Sequence, residues 1–84
     1  MAFFVYVLKS MTDGNLYIGH TQDIETRLIE HNRGRVRSTH TRKPFELIYT
    51  EEFNTRSQAR WRERHLKTAW EKKKLKRSLN VIPL

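Results

Sequence analysis

The sequence contains no cysteine, which excludes disulfide staples, thiolate metal sites and a thiol nucleophile together. A reducing, cytoplasmic setting is the expectation that goes with it. No apolar stretch approaches the roughly 20 residues that a membrane-spanning helix needs. The opening MAFFVYVLKS lacks the basic start and small-residue cleavage site of a secretion signal, so it is expected to be a strand of the mature fold. No internal repeat and no linker-like stretch divides the chain, and residues 1–84 are expected to form one domain. A chain of this size buries only about 60 to 65 per cent of its unfolded surface, so its stability margin should be thin. Acid is scarce as well, with 9 Asp or Glu against 17 Lys or Arg and a net charge of +8.

The excess of base is not spread evenly. Residues 56–77 hold ten Lys or Arg and two Glu, while the rest of the chain carries seven of each sign. Within that balanced remainder, residues 33–43 contain five basic side chains and no acid. Clustered positive charge favours nucleic acid through counterion release. A solvated basic surface or contact with an acidic membrane face are the alternatives that charge alone leaves open.

FFVYVLK, residues 3–9, is rich in aromatic and β-branched types on both faces, which predicts a central strand. Asp13-Gly14 is a strong turn pair, and LYIGH returns as the second arm of a hairpin. A first helix should begin near Asp23, with Thr21 or Asp23 as its cap, and stop at Gly34. Ile24 and Leu28 form its core stripe; Arg27 and His31, one turn apart, project together beside that stripe. A polar, basic loop runs to Pro44, and FELIYTEEF alternates as a third strand. Thr55 and Gln58 have capping-box spacing, so a second helix should start near Arg56. A last helix is expected over residues 71–79, with Leu75 and Leu79 inward and Trp70 at the bend before it. The fold class is therefore α+β, a three-stranded antiparallel sheet flanked by helices.

Glu63 is the awkward residue. Ala59, Leu66 and Trp70 make an apolar stripe of helical period, and Glu63 falls inside it. A carboxylate withdrawn from water needs a cation or several donors. Lys67, one turn on, would answer that need as a surface pair. A magnesium ion in a cleft would answer it too, since magnesium takes only one or two protein carboxylates beside water and substrate phosphate. His20, His31, His40 and His65 lack the spacing of a zinc site. Trp61, one position off the stripe, is expected to cover the edge of the core rather than stack on a base.

VYV at residues 5–7 resembles the first half of the GIY-YIG nuclease signature, and YIG at residues 17–19 matches the second half at the family's customary separation. The resemblance continues through DIETRLIEHN, STHTRKPFELIYTEEF and RSQARWRERHLK, and is nearest to the small single-domain bacterial members. It implies DNA phosphodiester cleavage of low sequence specificity with one Mg2+, or Mn2+ in its place. The implied catalytic residues are Tyr17 as general base, Tyr6 as the partner that orients it, Arg27 for phosphoryl charge, His31 in support, and Glu63 as metal anchor. His20 stands where relatives such as the excision-repair incision module use lysine, which leaves a pH-dependent donor there. Arg35, Arg37, Arg42 and Lys43 are expected as phosphate contacts rather than base readers. Lys67 is expected either on a phosphate or paired to Glu63. Asn80 is the C-terminal candidate for the asparagine that some relatives use after the metal-binding glutamate. A binding module that keeps the scaffold without catalysis is the competing expectation.

Overall fold

The computed structural model describes residues 2–78. Strands β1 (Phe3–Ser10) and β2 (Leu16–Thr21) form a hairpin, followed by helix α1 (Ile24–Asn32), strand β3 (Phe45–Phe53) and helices α2 (Arg56–Leu66) and α3 (Ala69–Ser78). The sheet order is β2-β1-β3, antiparallel at both pairings, so the apolar first strand is central as its composition requires.

Period-two alternation divides that strand between two cores. Val5 and Val7 join Leu16, Ile18, Ala59, Leu66 and Leu75 beneath α2 and α3. Tyr6 and Leu8 face the other way, with Phe45 and the half-buried Tyr17, Leu28 and Leu47 beneath α1. The register of β1 against β3 slips between Val7 and Leu8, because Val7 opposes Tyr49 while Leu8 opposes Leu47. This bulge lets the successive residues Ile48 and Tyr49 both pack on the α2 side.

The helix starts follow their local chemistry. Asp23 caps α1 by accepting from the Thr26 N–H, and Thr55 with Gln58 completes the capping box of α2. Two expectations shift. The break before the last helix falls at Lys67 and Thr68, so the backbone of Trp70 already belongs to α3. Trp61 does not cover the core edge; it is 65% exposed. Leu79, Asn80 and Pro83 lie outside the described residues.

The basic loop is held to the hairpin turn and to β3 by polar groups. The buried Ser10 hydroxyl donates to the Arg42 carbonyl at 2.6 Å and accepts from the N–H groups of Thr12 and Asp13. At the end of α1, the Asn32 amide donates to the Phe45 carbonyl at 3.2 Å and accepts from the Phe45 N–H at 2.6 Å. One side chain thus binds both polar groups of a strand residue. Asn32→Ala should lower stability by about 1–2 kcal/mol, read as a shift in the urea midpoint at unchanged slope.

Candidate active site

The central feature is a buried histidine. One helical turn after Arg27, His31 reaches the sheet-facing side of α1, where it is fully buried. Its Nε2 lies 3.1 Å from the Tyr6 hydroxyl and its Nδ1 2.8 Å from Thr39 Oγ1. Thr39 Oγ1 in turn is 3.4 Å from the Val36 carbonyl. One proton assignment satisfies all three contacts: Tyr6 donates to Nε2, Nδ1 donates to Thr39, and Thr39 donates to Val36. That assignment requires a neutral ring. Burial supplies the main cause, and the Arg27 charge adds to it; together they push the His31 pKa down to about 4.

Tyr6 is held in its protonated form by the same surroundings. Burial raises its pKa most, the neighbouring Arg27 guanidinium opposes that, and the charges of Tyr17 and Glu63 add to the rise, to about 12 overall. Its hydroxyl lies directly over Gly19, its partner across the β1–β2 pairing. A Cβ at position 19 would come within 2.5 Å of the hydroxyl oxygen and 2.7 Å of the ring carbon that bears it. This close approach is why a side chain has no room at that strand position. Tyr17, two residues earlier, is half-buried, with its ring 6.3 Å from that of Tyr6 and 4.9 Å from that of His31, centroid to centroid. Arg27 borders the group and pairs with Glu30 at 3.3 Å. Tyr6, Tyr17, Arg27 and His31 therefore form one cluster on the α1 side of the sheet.

Glu63 approaches from the other side, on α2. Its Oε1 is 2.6 Å from His20 Nδ1 and its Oε2 2.8 Å from Lys67 Nζ. Partial burial works against its charge, but the hydrogen bonds from Lys67 and His20 outweigh that and hold the carboxyl below its usual range. The edge strand β2 runs between the two groups, with Gly19 against Tyr6 and the next residue, His20, against Glu63. Among the described residues, no group of three or more His, Cys, Asp or Glu gathers for a metal ion.

The remaining basic residues divide. Arg35 and Arg37 are exposed on the loop. Lys43 is exposed with its amine against Gly34. Arg42 is drawn inward, 2.9 Å from Asp13 and 5.7 Å from the centre of the Phe45 ring, so a phosphate contact would require that pair to open. Thr39 went unnoticed in the sequence. A threonine in a polar loop has no periodicity to mark it, and only the fold brings it to His31.

A basic α+β domain that sets a neutral Tyr–His pair and an arginine on one side of its edge strand and an ionised glutamate on the other has groups of the kind that phosphoryl transfer uses for positioning and charge stabilisation. Comparison with known proteins agrees with that class. The family model described as the GIY-YIG catalytic domain matches residues 2–76. The chain belongs to the GIY-YIG family, a nuclease superfamily. It is 45% identical over 74 residues to a UPF0213 protein of Staphylococcus saprophyticus, covering 87% of this chain and 89% of that one. Identity to a UPF0213 protein of Staphylococcus epidermidis is 43%, over the same shares. The solution NMR structure of the UPF0213 protein BH0048 from Bacillus halodurans superposes with a TM-score of 0.55 at 31% identity, covering 89% of this chain and 82% of that one.

Two measurements bear on the cluster. Gly19→Ala should cost about 1–3 kcal/mol and displace the Tyr6 ring, visible as a lowered melting temperature and shifted aromatic NMR signals. The second concerns acid. In the unfolded chain His31 titrates near 6.5, in the fold near 4, so the unfolded state binds the extra proton between those values. Stability should be complete above about 6.5, fall as the pH drops through that window, and level off below about 4. Between about pH 7 and about pH 5 the loss should be roughly 2 kcal/mol by urea denaturation. A flat profile across that range would mean that His31 takes up its proton as readily in the fold as in the unfolded chain.

Proposed function

We propose that this chain is a nuclease that hydrolyses DNA phosphodiester bonds with little sequence preference, working in the cytoplasm. One observation carries the reading. Consecutive residues of one edge strand serve both groups: Gly19 lies under the Tyr6 hydroxyl of the Tyr–His–Arg cluster, and His20 hydrogen-bonds the ionised Glu63. Net charge of +8 supports a polyanionic substrate.

The donor chemistry at Glu63 suits magnesium, with manganese as a substitute, because a hard, ionised carboxylate is one of the few protein ligands that such an ion takes. Glu63 would hold it after Lys67, itself half-exposed, releases one oxygen. When bound, the ion supplies Lewis-acid stabilisation of charge on the phosphoryl oxygens. Everything else falls to the chain. Tyr17 is the better candidate for general base, since Tyr6 keeps its proton on His31. Tyr17 acts as the phenolate, after its own proton has passed to solvent. It takes a proton from the attacking water as that oxygen bonds to phosphorus. The ester P–O bond breaks with its electron pair on the departing oxygen, which takes a proton from solvent. Tyr6 orients the Tyr17 oxygen and the water, His31 and Thr39 fix Tyr6, and Arg27 offsets phosphoryl charge. Lys67 and His20, freed from Glu63, together with Arg35 and Arg37, contact flanking phosphates.

A second reading has one observation in its favour. Both oxygens of Glu63 already have partners, as in a purely structural ion pair, and a non-catalytic nucleic-acid-binding module would need nothing more. Incubation with supercoiled plasmid and with single-stranded oligonucleotide separates the two. Cleavage is expected in magnesium, absent with chelator, and lowered at least about 100-fold by Glu63→Ala at unchanged melting temperature. Folded protein that binds DNA but cuts none in any divalent metal, with binding indifferent to Glu63→Ala, would establish the binding module instead.

A further inference from the structure

Helix α2 presents a second surface that the site above leaves unused. Trp61 is 65% exposed, the most exposed large apolar side chain among the described residues. One face of its ring is stacked on His65, with centroids 5.2 Å apart and planes 7° from parallel. The other side opens, over the small Ser57, into two recesses. One of about 430 Å³ is lined by Phe53, Ser57, Gln58 and Trp61, and its walls are mostly apolar. The second, of about 200 Å³, is lined by Ser57, Arg60, Trp61 and Arg64. An indole held flat by a neighbouring ring, with open space beside it and two guanidiniums at its rim, is suited to a planar π-system next to negative charge.

The position of this surface matters as much as its chemistry. Successive residues turn by about 100° around a helix. Starting from Glu63, Lys67 and Arg60 come first, then Arg64, then Ser57 and Trp61, roughly 160° around. An unbroken strip of cations therefore joins the glutamate to the indole. A sugar-phosphate chain passing Glu63 meets amine and guanidinium groups along that strip before its base reaches Trp61. A duplex keeps its bases stacked inside and could offer Trp61 only sugar edges and phosphate.

We propose that the Trp61–Ser57 face of α2 is a stacking platform for an unpaired base, which makes single-stranded DNA the preferred ligand. This deepens the nuclease reading and rests on it only for the direction in which the strand runs. The experiment is binding without turnover. The probes are a fluorescent dT oligonucleotide of about 12 nucleotides and a blunt-ended hairpin duplex, measured by anisotropy in chelator. Trp61→Ala should weaken oligonucleotide binding about 10-fold or more and duplex binding less than about 3-fold, with the melting temperature unchanged. Trp61→Phe should restore most of the affinity, and Ser57→Leu, which fills the recess but keeps the indole, should reproduce the loss. The oligonucleotide should also quench tryptophan fluorescence in the wild type and far less in Trp61→Phe. Equal weakening on both probes, or none on either, overturns the platform. So does concentration-dependent self-association that Trp61→Ala abolishes, since Trp61 would then belong to a contact between copies. The two proposals fail separately. Strand-selective loss of binding in a protein that never cuts removes the nuclease reading alone. Cleavage of single strands unaffected by Trp61→Ala removes the platform alone.

Discussion

The hydrogen bond between Tyr6 and His31 is the constraint around which this domain is arranged. It joins the central strand to α1, and through Thr39 it reaches the basic loop, so three segments far apart in sequence share one buried polar line. A neutral imidazole satisfies both neighbours, whereas a charged one would have to donate at both nitrogens while fully buried. Burial therefore selects the protonation state, and the protonation state selects the direction of every bond in the line. Gly19 belongs to the same arrangement, since the tyrosine ring occupies the volume that a Cβ would fill.

On the other face, the corresponding interaction is ionic. Glu63 is a carboxylate at the margin of a hydrophobic stripe, kept charged by Lys67 on its own helix and His20 on the edge strand. Both donors are also groups that suit a phosphate, so the contacts that hold Glu63 are ones a polyanion can compete for. A similar economy is seen at Arg42, which closes the loop on Asp13 and Phe45 at the cost of its availability to a ligand. In a domain this small some cations serve as structure first, while Arg35, Arg37, Arg60 and Arg64 are exposed and outside the ion pairs found among the described residues.

How much of this was legible beforehand depends on range. Asp23, Thr55 with Gln58 and the apolar first strand could be read because each acts on residues within a few positions of itself. The family resemblance singled out Tyr6, Tyr17, Arg27, His31 and Glu63, and the fold brings the first four together and the fifth to the opposite face of the same strand. Thr39 and Asn32 were not legible, because their partners lie eight and thirteen residues away through a loop without periodicity. Trp61 departs from its expected place for a related reason: a position beside a helical stripe is covered or bare according to what packs there, and among the described residues the ring stacks on His65 yet stays 65% exposed.

By itself, the amino-acid order determined the elements, their caps, the central place of β1 and the placing of basic charge in two segments. These follow from periodicity, propensity and composition, which act locally or as simple sums. Only the tertiary structure decided that a tyrosine hydroxyl rests on a glycine, that a histidine is buried neutral, that Glu63 and the tyrosines lie on opposite sides of one edge strand, and that Trp61 is left open. Those outcomes depend on strand register, on the bulge in β3 and on which helix covers which face. Such distances are set by packing among residues remote in the chain, and no local preference encodes them.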